Sequence, residues 1–312
     1  MRILFMGTPD FAEESLKALY EAGEEIIGVF TNPDRPKGRG MKMIASPVKE
    51  YALQKQLPVY QPEKIKKNEE VIRQIENLKP DCICVVAYGK ILPKEILAIP
   101  TYGCINVHAS LLPKYRGAAP IQWAVINGEK ETGITTMYMD VGMDTGDMIY
   151  SQKVTIGEEE TTGELWNRLA KIGGELLVKT IKAIENDTAP RIKQGEDFSM
   201  APMLSKEISH IQWQEKTAEQ IKNLVRGLNP IMGAYTFYEN KKIKLWKVKK
   251  IEKEEVKVEP GTVITASEKE GLQIQAKQGI IQVEEIQAEN ARKMTIQDFL
   301  RGNTITVGTQ LK

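Results

Sequence analysis

The chain has 312 residues, of which 41% are hydrophobic and 27% charged, a length that suits about two globular domains. Its formal net charge of +1 excludes a global field that would select a partner, so local charge clusters must do so. No run approaches the ~20 apolar residues that span a bilayer, and residues 1–9 read as a strand and turn with no secretion signal, so the expected location is the cytoplasm. Cys82, Cys84 and Cys104 lie in apolar, strand-like runs. Their number and spacing exclude a disulfide framework and a C-x-x-C redox motif, which leaves three buried small hydrophobes.

The first half alternates strand and helix signals. A short apolar strand over residues 3–6 precedes a helix over 11–22, with Asp10 as the expected N-cap. Strands are expected over 25–31, 58–60, 82–87, 105–108 and 134–139. Helices are expected over 46–54, 68–78 and 121–126. The continuous apolar run at 82–87 suits a strand buried on both faces of a parallel sheet. This alternation predicts an α/β domain with a doubly wound sheet. Gly7-Thr8-Pro9-Asp10-Phe11 lacks the G-x-G-x-x-G of dinucleotide binders, and no G-x-x-x-x-G-K-[ST] loop occurs. Residues 161–185 form a long amphipathic helix that covers a sheet face. The polar stretch 186–202 then reads as a surface linker.

The second half changes character. One helix over 219–228 leads into strands at 234–238, 242–248, 255–265, 272–276 and 280–286, most with period-two alternation. The apolar phase switches faces between Leu245 and Trp246, which predicts a bulge or strong bend. About five short bent strands fit a small OB-like barrel.

The segment Asn106-Val107-His108-Ala109-Ser110-Leu111-Leu112-Pro113 carries the sharpest chemical signal. Residues i and i+2 of a strand share a face, so Asn106 and His108 aim at one volume where a strand becomes a loop. Ligands of open α/β sheets bind outside that end. An amide donor beside an imidazole suits a carbonyl whose oxygen gains charge during attack. The loop Met139-Asp140-Val141-Gly142-Met143-Asp144-Thr145-Gly146-Asp147 offers a carboxylate to orient the imidazole. Its spacing does not match a calcium loop, and no metal is expected. Arg35, Lys37, Arg39 and Lys42 lie in a Gly/Pro-rich loop with one acid, Asp34, and read as a mobile phosphate-contacting arm. Lys241, Lys242, Lys244, Lys247, Lys249 and Lys250 make the bent strand basic, which favours a nucleic-acid partner.

Taken together, Asn106-x-His108, Ser110-Leu111-Leu112-Pro113 and Asp144-Thr145-Gly146 resemble the 10-formyltetrahydrofolate-dependent formyltransferase family. Gly7-Thr8-Pro9-Asp10-Phe11, Pro33-Asp34-Arg35-Pro36-x-Gly38-Arg39-Gly40, Arg116-Gly117-Ala118-Ala119-Pro120-Ile121-Gln122 and Asp140-Val141-Gly142-x-Asp144 are similar to its methionyl-tRNA members. The resemblance covers essentially the whole chain. It implies a Rossmann-like catalytic domain at residues 1–188, a linker at 189–206 and an OB-like tRNA-binding domain at 207–312. It also implies Asn106, His108 and Asp144 as the catalytic trio, and a seat for 10-formyltetrahydrofolate at Ala109, Ser110, Leu111 and Leu112. By the same resemblance Arg35, Lys37, Arg39, Lys42 and Lys206 contact methionyl-initiator-tRNA; a monomer is the expected oligomeric state. The chain departs from its relatives at Asn229-Pro230-Ile231-Met232, where they commonly carry N-P-W-P. A sugar-amine formyltransferase would share the trio. A non-catalytic RNA-binding protein would keep the barrel and basic loop but have no need of the trio.

Overall fold

The structure, a computed structural model, describes residues 1–37, 41–252 and 257–312, with only the backbone of Lys37. It divides into two compact units. The first comprises Met1–Pro120, Thr132–Thr155 and Trp166–Pro202. The second comprises Ile121–Glu131, Ile156–Leu165 and Met203–Lys312.

In chain order the elements are β1 (Arg2–Gly7), α1 (Asp10–Glu21), β2 (Glu25–Phe30), β3 (Arg35–Lys37), β4 (Lys42–Ile44), α2 (Pro47–Gln54), β5 (Val59–Tyr60), α3 (Glu69–Leu78), β6 (Cys82–Val86), α4 (Lys94–Leu97), β7 (Cys104–His108), α5 (Pro120–Ile126), β8 (Glu131–Tyr138), β9 (Met148–Thr155) and α6 (Thr162–Glu185). Seven of the strands form one sheet in the order β5-β2-β1-β6-β7-β8-β9. From β5 to β7 the pairing is parallel, and β8 joins β7 antiparallel. Every residue of β6 is buried, as its unbroken apolar run requires. The strand order reverses between β1 and β6, so the loops after β1, β6 and β7 open on one crevice. Asn32 stitches this rim. Its amide donates to Thr8 Oγ1 at 3.0 Å and to the Tyr88 carbonyl at 2.9 Å.

Adjacent glycines in α6 let that helix sit close to the sheet. A Cβ on Gly173 would lie 3.1 Å from Val107 Cγ1, and one on Gly174 2.9 Å from the Glu14 carbonyl. Two helix-interior glycines cost roughly 1 kcal/mol each in propensity. The close approach they allow presses α6 on the Val107 side of β7, opposite Asn106 and His108.

Three local features differ from expectation. Asp10 is the first residue of α1, and Pro9 occupies the cap position. The Asp10 carboxylate instead accepts from the Phe11 N–H at 2.9 Å and the Trp166 indole at 3.0 Å. Ser46 and Asn68, expected inside their helices, are side-chain N-caps. The stretch read as a linker belongs to the first unit as far as Pro202. Its backbone pairs Ile192 with Met148 and Met200 with Arg116. Its polar composition reflects hydrogen bonds made to the protein, which composition cannot distinguish from hydrogen bonds made to water.

In the second unit a 3-10 turn, Lys206–Ser209, precedes α7 (Ala218–Gly227), β10 (Ala234–Tyr238), β11 (Lys241–Ile251), β12 (Val263–Ser267), β13 (Gly271–Gln275), β14 (Ile280–Ala288), β15 (Met294–Thr295) and α8 (Ile296–Gly302). Thr217 and Gln220 form a capping box at the start of α7. The strands follow the antiparallel order β10-β11-β14-β13-β12, with β15 beside β14. Register shifts on both sides of Lys247 place the bulge where the apolar phase switches. The segment 308–312 covers both outer strands. Lys312 exchanges two backbone hydrogen bonds with Phe237 of β10, and Val263 of β12 pairs with Gly308 and Thr309. The sheet is thereby closed, and Ile221, Leu224, Leu245, Ile274 and Val283 lie in its core. The strand expected over 255–265 begins at Val263, and its first two residues lie outside the described residues. At the departure noted above, Ile231 is 77% exposed while Met232 packs against the core.

Candidate active site

The carboxyl end of β7 positions the first two groups. Asn106 sits opposite Val85 of β6 and Met137 of β8, and His108 opposite Thr135. The two side chains share a face, and His108 is buried. The chain then leaves the sheet through a cis Leu112–Pro113 bond. Thr135 Oγ1 holds this exit, donating to the Ser110 carbonyl at 2.7 Å and accepting from the Leu112 N–H at 3.2 Å.

The loop brings the Tyr115 carbonyl back to His108 Nε2, at 2.9 Å. A carbonyl only accepts, so Nε2 carries the proton and Nδ1 of the neutral ring is the open nitrogen. Asp144 Oδ2 lies 3.7 Å from Nδ1, and Asp144 Oδ1 lies 3.5 Å from the Asn106 amide nitrogen. The carboxylate is itself held by the Gly117 N–H at 2.8 Å. Amide, imidazole and carboxylate therefore converge, with one Asn106 N–H turned to Asp144 at long range.

Asp144 has a left-handed backbone, φ 55°, which aspartate tolerates better than most residues. The rest of its loop is fixed by turn chemistry. Asp140 accepts from the Gly142 N–H at 3.0 Å and the Thr145 hydroxyl at 2.7 Å. A Cβ on Gly146 would lie 1.7 Å from the Tyr138 carbonyl, so only glycine lets the loop rejoin β8 there. One residue that sequence reasoning missed also belongs here. The Gln194 amide donates to the carbonyls of Asp144 and Gly146, both at 2.8 Å, and its oxygen accepts from Arg116 at 2.8 and 3.0 Å. Nothing in sequence marked it, because it lies in the stretch read as a linker.

The four residues expected to seat a folate line the exit from β7. Ala109, Ser110 and Leu112 are buried, and Leu111 is half-buried. The Ser110 hydroxyl is engaged within the chain, donating to the Lys114 carbonyl at 2.6 Å. Leu111 rests on Gly133, where a Cβ would lie 2.6 Å from Leu111 Cδ2.

The basic loop is a hairpin in which Arg35 pairs with Ile44 and Lys37 with Lys42. Arg35 and Lys42 are exposed. The side chain of Lys37, and Arg39 altogether, lie outside the described residues. Asp34, the loop's one acid, is ion-paired with Lys49 at 2.7 Å and accepts from Gln61 at 2.8 Å. Its charge is thus spent at the hairpin's base. Lys49, and after it Gln61, hold the Asp34 carboxyl below its ordinary value. Lys206 is exposed and belongs to the second unit. Among the described residues no group of three His, Cys, Asp or Glu side chains is placed to hold a metal ion, and no helix is long and apolar enough to cross a membrane.

Residues 1–181 match the family model described as formyl transferase, and residues 203–304 match the formyl transferase C-terminal domain. A methionyl-tRNA formyltransferase of Desulforamulus reducens is 51% identical over all of this chain and 98% of its own length. The chain belongs to the methionyl-tRNA formyltransferase family. Another member, from Alkaliphilus oremlandii, is 52% identical over all of this chain and 99% of its own length. Among solved structures, the fold is similar to an N-formyltransferase of Helicobacter canadensis in complex with folinic acid and dTDP-3-aminofucose. The TM-score is 0.64 at 20% identity, covering 94% of this chain and 100% of that one. HypX of Aquifex aeolicus in complex with tetrahydrofolic acid gives 0.62 at 16% identity, covering 99% of this chain and 50% of that one. The family's two-part architecture is thus present throughout the chain.

Proposed function

We propose that this chain transfers the formyl group of 10-formyltetrahydrofolate to the α-amino group of methionyl-initiator-tRNA, in the cytoplasm and as a monomer. The observation that carries the reading is the convergence of Asn106, His108 and Asp144 at the carboxyl end of β7. The amine attacks the formyl carbon, and the carbonyl oxygen becomes the oxyanion of a tetrahedral intermediate. Asn106 donates to that oxygen. His108 takes the ammonium proton at Nδ1, since Nε2 is engaged by Tyr115. Asp144 stabilises the imidazolium so formed. Collapse breaks the bond to the folate nitrogen, which recovers a proton, and leaves the amide on methionine.

Ala109, Ser110, Leu111 and Leu112 seat the folate in this reading, with Leu111 as the apolar contact. Arg35, Lys37, Arg39, Lys42 and Lys206 contact tRNA phosphates. Binding to phosphate predicts a KM for tRNA that rises with salt and rises further in Arg39→Ala. The deciding experiment is a formylation assay with charged initiator and elongator tRNAs, and with an amino-sugar nucleotide as competing acceptor. Formylation of the sugar nucleotide alone would reassign the acceptor. Formate release with no acceptor would make the chain a folate hydrolase.

A further inference from the structure

We infer that Gln194 is a positioning residue for the formyl-transfer site, holding the Asp144 carboxylate against His108 and Asn106 through the backbone of the Asp144 loop. The inference rests on the proposed chemistry of that trio and adds a member it lacks.

The orientation of the Gln194 amide follows from its neighbours. The Asp144 and Gly146 carbonyls only accept, and the Arg116 guanidinium only donates. The NH2 end must therefore face the loop and the oxygen must face the arginine. In that orientation both N–H donors are used, at 2.8 Å each, and the oxygen accepts from Nε and Nη2 of Arg116. Arg116 is buried and lies over the Phe198 ring, 4.6 Å from its centroid. Among the described residues it has no carboxylate partner.

Asp144 is thus pinned at both ends from one place. Its backbone carbonyl is held by Gln194, which is clamped by the Arg116 side chain. Its carboxylate is held by the N–H of Gly117, the next residue. The backbone of Arg116 is fixed in turn, donating to the Ser199 carbonyl at 2.8 Å and accepting from the Ala201 N–H at 2.7 Å. The left-handed Asp144 backbone needs such over-determination, because a strained residue keeps its conformation only where its surroundings impose it. Without Gln194 the carbonyls of Asp144 and Gly146 lose the donor it supplies, and Asp144 is left with the Gly117 N–H and the long Asn106 contact at its carboxylate.

The test uses Gln194→Ala and the near-isosteric Gln194→Met, which keeps the bulk and removes both donors. If Gln194 acts through Asp144, both variants lower kcat by about 10²-fold, the scale of an ångström-sized misplacement, with a far smaller change in KM for tRNA. The pH–rate profile also moves in the same variants. In an Asp144→Asn background, Gln194→Met produces little further loss of kcat, since the two substitutions disable one device. The idea is overturned if folded Gln194→Met keeps wild-type kcat and pH profile, or if the two losses multiply independently. A wild-type enzyme inactive on methionyl-tRNA would instead sink the proposed function. Thermal melting establishes that each variant is folded, and Gln194→Met keeps the test open if Gln194→Ala does not fold.

Discussion

His108 has one nitrogen committed to the Tyr115 carbonyl and one facing a carboxylate. That division assigns the tautomer of the neutral ring from the backbone and leaves Nδ1 without a hydrogen. Asn106→Ala is expected to cut kcat by at least ~10²-fold with little effect on folding, the loss typical of one oxyanion donor. Single-turnover rates measure it directly. Gly117 is a second point of sensitivity. Its φ is 122°, and a Cβ there would lie 2.7 Å from the Ala201 carbonyl. Gly117→Ala is expected to destabilise by about 1–3 kcal/mol and to lower kcat by displacing the N–H that holds Asp144. Urea unfolding beside steady-state kinetics reads both. The pairing of Asn106 with His108 was legible in sequence from strand periodicity alone. The roles of Tyr115, Gly117 and Gln194 were not, because a backbone carbonyl, a backbone N–H and a neutral amide carry no sequence signature of what they face.

At the scale of elements, most strands and helices were legible to within one to three residues. Others were missed or misplaced: α4, β15 and α8 were not expected, the strand read over 255–265 begins at Val263, and β3–β4 and β9 were hidden by their composition. The hairpin β3–β4 is basic and Gly/Pro-rich, so its pairing was hidden behind loop composition. The edge strand β9 buries only Ile149 and Val154 at the first rank, too few to announce a strand. The hairpin's foundation is Asp34 with Lys49 and Gln61. Asp34→Ala is therefore expected to raise the KM for tRNA several-fold while kcat is retained. Asp34 is a carboxyl held below its ordinary value, so its contribution is present above that value and lost as pH falls through the lowered one. Hydrogen exchange of the hairpin amides, corrected for intrinsic rates, is expected to show constant protection from pH 8 to pH 5, and opening only below about pH 4.

Over the whole molecule, the two-part plan was legible from the change in pattern between the halves, from alternating strand and helix to short bent strands. The boundary was not. Pieces of three chain segments build each unit, and a division drawn along the sequence cannot express that. A monomer is expected to elute as a single 35.1 kDa species in gel filtration with light scattering. The segment 308–312 bears on the same measurement. It satisfies the outer backbone groups of β10 and β12 at once, and so removes two templates for intermolecular strand pairing. A chain truncated after Val307 is expected to be aggregation-prone rather than merely less stable, with light scattering that grows with protein concentration. Those few residues act as a guard on solubility, and a tag or fusion that tugs on them would be felt first in the yield of dispersed protein.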